Sequence, residues 1–134
     1  MIELSNTTAE TLATGQSITF NTTLLKTGYG ECHRTGSGSV RMNNKGIYEV
    51  HFSGNITGAT AGTAVELSLQ IGDETLPTTT MISVPAAAND YNAVSTSVLI
   101  SNCCADYGRI KVTNTGSTQL TVAANSLFWV KRVA

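Results

Sequence analysis

Apolar and polar residues alternate along most of this 134-residue chain. From Ile47 to Ile56, Tyr48, Val50, Phe52 and Ile56 fall on one side while Glu49, His51, Ser53 and Asn55 fall on the other, the period-two pattern of a strand with one dry face. Val65, Leu67, Leu69 and Ile71 alternate with Glu66, Ser68 and Gln70. Val94, Val98 and Ile100 alternate with Ser95, Ser97 and Ser101, and Ile110 and Val112 with Arg109, Lys111 and Thr113. Shorter strands are expected at Ser17 to Phe20, Tyr29 to Arg34, Ser39 to Met42 and Glu74 to Ser83, where Pro77 suits an edge or bulge. Helical periodicity is hard to find.

Turn chemistry separates these runs. Asn43-Asn44-Lys45-Gly46 and Asn114-Thr115-Gly116-Ser117 read as tight hairpin connections, Ile71-Gly72-Asp73-Glu74 as a turn, Gly58 to Gly62 and Pro85 to Asp90 as small-residue loops, and Gly28 to Gly38 as a hairpin loop. Eight to ten short strands so spaced predict an all-β, two-sheet antiparallel sandwich or barrel. The length fits a single domain with one core, divided here into an arm or edge strand over residues 1–13 and the domain proper over 14–134.

The last strand breaks the one-dry-face rule. In Leu120 to Val133, Leu120, Val122, Ala124, Phe128 and Val130 share one side, yet Ala123, Leu127, Trp129 and Val133 make the other side apolar too. A sandwich strand shows one face to water, so a second partner is expected: another copy of the chain, or the segment around Ile2 and Leu4, or a loop, folded over this face. Leu127, Phe128, Trp129 and Val133 are the candidate interface residues.

Only 13% of residues are charged and the formal net charge is -1, which removes the basic footprint of a nucleic-acid binder. No run reaches the roughly 18 apolar residues that span a bilayer, so no membrane insertion is expected. The N-terminus has no basic region before its weakly apolar stretch and so does not read as a secretory signal. Asn6, Asn21 and Asn55 head Asn-X-Thr triplets, which a chain this rich in Asn and Thr produces by chance.

Three segments, TGQSITF (Thr14 to Phe20), SVRMNNKGIYEVHFSGNIT (Ser39 to Thr57) and SLFWVKRV (Ser126 to Val133), resemble the C1q/TNF-like jelly-roll family, in flavour its bacterial and bacteriophage members. The resemblance implies a jelly-roll sandwich of about ten strands that forms a homotrimer, with the closing strand packed around the threefold axis and Phe128, or its neighbours Leu127 and Trp129, approaching it. No collagen Gly-X-Y stalk is present. The resemblance implies a non-enzymatic structural or decorative module: a component of a virion assembled in the host cytoplasm, such as a phage head or tail appendage, or of a bacterial cell or spore surface. Partners would be other virion or surface proteins. The alternative is a glycan- or receptor-binding adhesin head on the same trimer.

Local chemistry adds little. Cys32-His33 and Cys103-Cys104, with Asp106, allow a zinc site, a Cys32 disulfide to Cys103 or Cys104, or three reduced thiols. The odd count favours free thiols, so no metal or cofactor is expected. Neither His33 nor His51 falls in a nucleophile–base order, and Gly28 to Gly38 lacks the Gly-Lys-Ser/Thr ending of a phosphate loop. For glycan binding, the candidates are the loop aromatics Tyr29, Tyr91 and Tyr107, with Asp90 beside Tyr91.

Overall fold

The computed structural model describes residues 1–28, 30–33, 36–102 and 108–134. Its strands, in chain order, are β1 (Ile2–Ser5), β2 (Glu10–Leu12), β3 (Thr22–Lys26), β4 (Glu31–His33), β5 (Ser39–Met42), β6 (Gly46–Thr57), β7 (Val65–Ile71), β8 (Glu74–Thr75), β9 (Met81–Ser83), β10 (Asn92–Asn102), β11 (Gly108–Asn114), β12 (Leu120–Val122) and β13 (Leu127–Arg132), with one 3₁₀ turn at Pro77–Thr79. They form two antiparallel sheets. The first runs β2-β12-β6-β13-β1-β3, with β10 along the other side of β6; the second runs β4-β5-β11-β7-β8, with β9 also on β7.

The long strand β6 organises the first sheet. One edge pairs with β10 from Gly46 to Ile56, while the other pairs with β13 over Tyr48 to Ser53 and with β12 at Ile56 and Thr57. Its alternation is the one read from the sequence: Tyr48, Val50, Phe52 and Ile56 are buried and the intervening residues are partly or fully exposed. They meet Val40, Met42, Leu67, Leu69, Ile110 and Val112 of the second sheet in one core. Phe20 and Phe128 stack within it, ring centroids 5.1 Å apart.

The turns expected to make two hairpins do something else. Asn43 to Lys45 joins β5 of the second sheet to β6 of the first, and Thr115 to Gln119 joins β11 to β12 in the same way. Turn residues set local backbone direction; which sheet receives the next strand depends on contacts distant in sequence. Buried asparagines hold both crossings. Asn102 Nδ2 donates to the carbonyls of Met42 and Asn44 at 3.3 and 2.9 Å, and Asn114 Nδ2 to those of Leu12 and Thr118 at 3.0 and 2.9 Å. The Gly72 turn is a true hairpin: Ile71 pairs with Glu74, and Gly72 has φ 61° at the position where a type II′ turn takes glycine.

Three further expectations change. Ser17 to Phe20 forms only an isolated bridge, Ser17 to Thr113, although Ile18 and Phe20 are fully buried. The Glu74 to Ser83 run is divided by Pro77 into β8, the 3₁₀ turn and β9. Residues 1–13, expected as an arm or edge strand, supply β1, which lies between β13 and β3 with Ile2 and Leu4 in the core, and β2, which is an edge. Ile2 and Leu4 therefore do not fold over the outer side of β13.

Candidate functional site

Side chains at i, i+2 and i+4 share a face of a strand, so the core side of the first sheet fixes what its other side displays. Burial of Phe128 and Val130 turns Leu127, Trp129 and Lys131 outward; burial of Val50 and Phe52 does the same for Glu49, His51 and Ser53. Strand registers then align one transverse row: Leu25 opposite Glu3, Glu3 opposite Trp129, Trp129 opposite His51, and His51 opposite Ser97. Flanking rows are Lys131-Glu49-Leu99 and Leu127-Ser53-Ser95.

The centre of this face is aromatic. His51 and Trp129 stack with centroids 5.3 Å apart and planes 20° from parallel. Around them Leu127 is half-buried, Leu25 is exposed and Leu99 is 63% exposed. Charge is confined to Glu3, Glu49 and Lys131, with Lys131 and Glu49 directly opposed in register. The face thus has an aromatic centre with Leu25, Leu99 and Leu127 around it, interleaved with Glu3, Glu49, Lys131 and the serines Ser53, Ser95 and Ser97, and no other part of the described chain packs a second layer of sheet against it.

The expected interface residues separate here. Leu127 and Trp129 lie on the outward face, and Val133 is exposed just beyond β13. Phe128 is a correction: it is completely buried against Phe20 inside its own sandwich, because outward placement of Trp129 forces its neighbour in. His51 was legible only as a residue of the polar side of β6; its stack with Trp129 needs the β6–β13 register, which local sequence does not reveal.

Of the glycan candidates, Asp90 and Tyr91 are exposed at the end of the Pro85 to Asp90 loop, whose base is tied by Asn92 Nδ2 donating to Ser83 Oγ at 2.9 Å. Ile82 and Val84 on the opposite side of that loop are also exposed. A cleft along β6 and β10 is lined by Ser53, Gly54, Asn55, Ala93, Val94, Ser95 and Asn125, and its Ser53 and Ser95 belong to the outward face of the first sheet. Tyr29 and Tyr107 lie outside the described residues, as do Cys103, Cys104 and Asp106.

Cys32 and His33 do not converge. Cys32 is exposed, whereas the His33 ring lies between the carbonyl oxygens of Ser39 and Phe20, 3.0 and 2.9 Å from its two nitrogens. Each nitrogen faces a backbone carbonyl and the one that carries hydrogen donates to it, so the ring lies between the β4–β5 hairpin and the segment before β3. Among the described residues no group of three His, Cys, Asp or Glu side chains gathers as metal ligands. Sequence reading also missed Glu31, a buried carboxylate that accepts from the Arg132 backbone N–H at 3.0 Å and from the Met1 amino group at 2.8 Å.

No family model matches the sequence, and no curated protein does. Solved structures do match. Eiger TNF from S. frugiperda superposes with a TM-score of 0.74 at 12% identity, covering 99% of this chain and 91% of that one. The globular domain of zebrafish complement 1qA gives 0.71 at 12% identity, covering 99% and 96%. The fold is a C1q/TNF-like jelly roll. PRD1 vertex protein P5 has the same fold at a TM-score of 0.55 and 16% identity, covering 99% and 97%. The expected leaning toward bacterial and bacteriophage members of this jelly-roll group is not seen, since the insect TNF and the fish complement domain superpose better than the PRD1 protein. Among the described residues no helix is long and apolar enough to cross a membrane.

Proposed function

We propose that the C1q/TNF-like domain is a homotrimeric, non-enzymatic recognition head: three copies associate through the outward face of the first sheet and present their loops to a glycan or protein receptor. The observation that carries this reading is the Leu25-Glu3-Trp129-His51-Ser97 row with its stacked aromatic centre. Covering a large apolar side chain is worth on the order of 1.5–3 kcal/mol, and partly open Trp129, Leu127, Leu99 and Leu25 side chains gathered on one sheet face mark an interface. A threefold arrangement accords with the C1q/TNF-like fold. The Pro85 to Asp90 loop, with Tyr91, Val84 and Ile82 exposed around it, supplies amphipathic contact surface.

Two measurements on one sample test the reading. Light scattering on the eluting protein is expected to give three times the chain mass, and a glycan array that includes cell-wall polysaccharides is expected to show saturable binding that Tyr91→Ala weakens. A monomer at all concentrations removes the assembly; an array at background removes glycan recognition. Similarity to PRD1 vertex protein P5 favours a second reading, a structural component of a virion. Capsid or tail genes beside the coding gene would select it, whereas a spore-coat or secretion operon would select the recognition head.

A further inference from the structure

The second sheet carries its own cleft on the opposite side of the sandwich. Cys32 of β4 stands opposite Arg41 of β5, and Arg41 opposite Arg109 of β11. Alternation along these strands turns all three away from the core, since Glu31, Val40, Met42, Gly108 and Ile110 are buried. With Ser37 and Ser39 they line a cleft of about 430 Å³. Two guanidiniums, two hydroxyls and a thiol therefore share one concavity, and none of these five lining residues is acidic.

Arg41 has an interaction of its own. The Arg109 guanidinium has no ion pair among the described residues, and the Asp73 carboxylate lies 3.5 Å from Lys111 Nζ. Guanidinium offers a planar fork of N–H donors matched to two oxygens of one anion, and the Ser39 hydroxyl has a hydrogen to donate to a third; the Ser37 hydroxyl donates to the Ser39 carbonyl at 3.4 Å. We propose that this cleft binds an oxyanion, a carboxylate, sulfate or phosphate monoester, through the Arg109 fork with Ser39 and Arg41 beside it. The site goes beyond the trimeric recognition reading and is independent of it, being on the other sheet.

The test is a backbone amide NMR titration of the full chain at constant ionic strength with sodium sulfate, glucuronate and glucose as separate probes. Sulfate or glucuronate is expected to move the amides of Cys32, Ser39, Arg41 and Arg109 saturably, and glucose to leave them unmoved. Tighter glucuronate binding assigns the site to an acidic saccharide; tighter sulfate binding assigns it to a free inorganic oxyanion. Arg109→Gln is expected to weaken anion binding about tenfold or more, the scale of a charge-assisted hydrogen-bonded pair, and Arg109→Lys, which keeps the charge and loses the fork, to fall between. Arg109 is exposed, so neither variant threatens the core. Absence of saturable shifts with both anions, equal shifts with glucose, or unchanged anion affinity in Arg109→Gln would overturn the proposal.

Discussion

The imidazole of His51 lies against the indole of Trp129, centroids 5.3 Å apart, on adjacent strands of the face that no second layer of the described chain covers. The pair covers part of each ring but leaves the surrounding Leu127, Leu99 and Leu25 at least partly open. Both rings are placed by residues on the other side of the same strands, so the core and the candidate interface are two consequences of one register.

That coupling predicts opposite results for neighbouring substitutions. Phe128→Ala removes a fully buried ring stacked on Phe20 and is expected to cost about 3–5 kcal/mol of folding stability, measured by urea denaturation. Leu127→Ser, one residue earlier and outward, is expected to leave monomer stability within about 1 kcal/mol while weakening assembly. Equal losses of folding stability would mean the two faces have been wrongly distinguished.

Asn114 is buried with both side-chain N–H groups donated to carbonyls and its Oδ1 accepting from the Gly116 N–H at 3.0 Å. Asn114→Asp keeps the shape but sets a carboxylate oxygen against the Leu12 and Thr118 carbonyls. A loss of at least about 2 kcal/mol is expected, again by urea denaturation, because an anion there is both desolvated and facing acceptors. A neutral outcome would show that Asn114 does not hold the β11–β12 crossing.

Gly72→Val is expected to destabilise by about 1–3 kcal/mol, because a β-branched residue at φ 61° is strained. Gly62 also has positive φ, 75°, and Gly62→Val carries the same backbone strain. Thermal melts of both valine variants should show a loss; an unchanged melting temperature for Gly72→Val would contradict the II′ assignment.

Strands with one dry face were legible from sequence because burial imposes period two: β6, β7, β10 and β11 follow from local alternation alone. The two-sided apolarity of β13 likewise pointed to Leu127 and Trp129. Sheet membership was not legible, since Asn43 to Lys45 has hairpin chemistry yet crosses between sheets, and only the distant Asn102 reveals where the chain must be held. Phe128 and Trp129 look equally apolar in sequence; parity against a known core residue is what separates them. The Cys32-Arg41-Arg109 row was invisible for the same reason, being assembled from three strands far apart in the chain.

Assembly through the open face is tested most directly by sedimentation velocity of the wild-type chain beside Trp129→Asp and Tyr91→Ala over a hundredfold concentration range. The wild type and Tyr91→Ala are expected to sediment at three times the chain mass, and Trp129→Asp at the monomer mass with an unchanged β-sheet circular dichroism spectrum. A wild-type monomer throughout, or a Trp129→Asp trimer, would contradict the account.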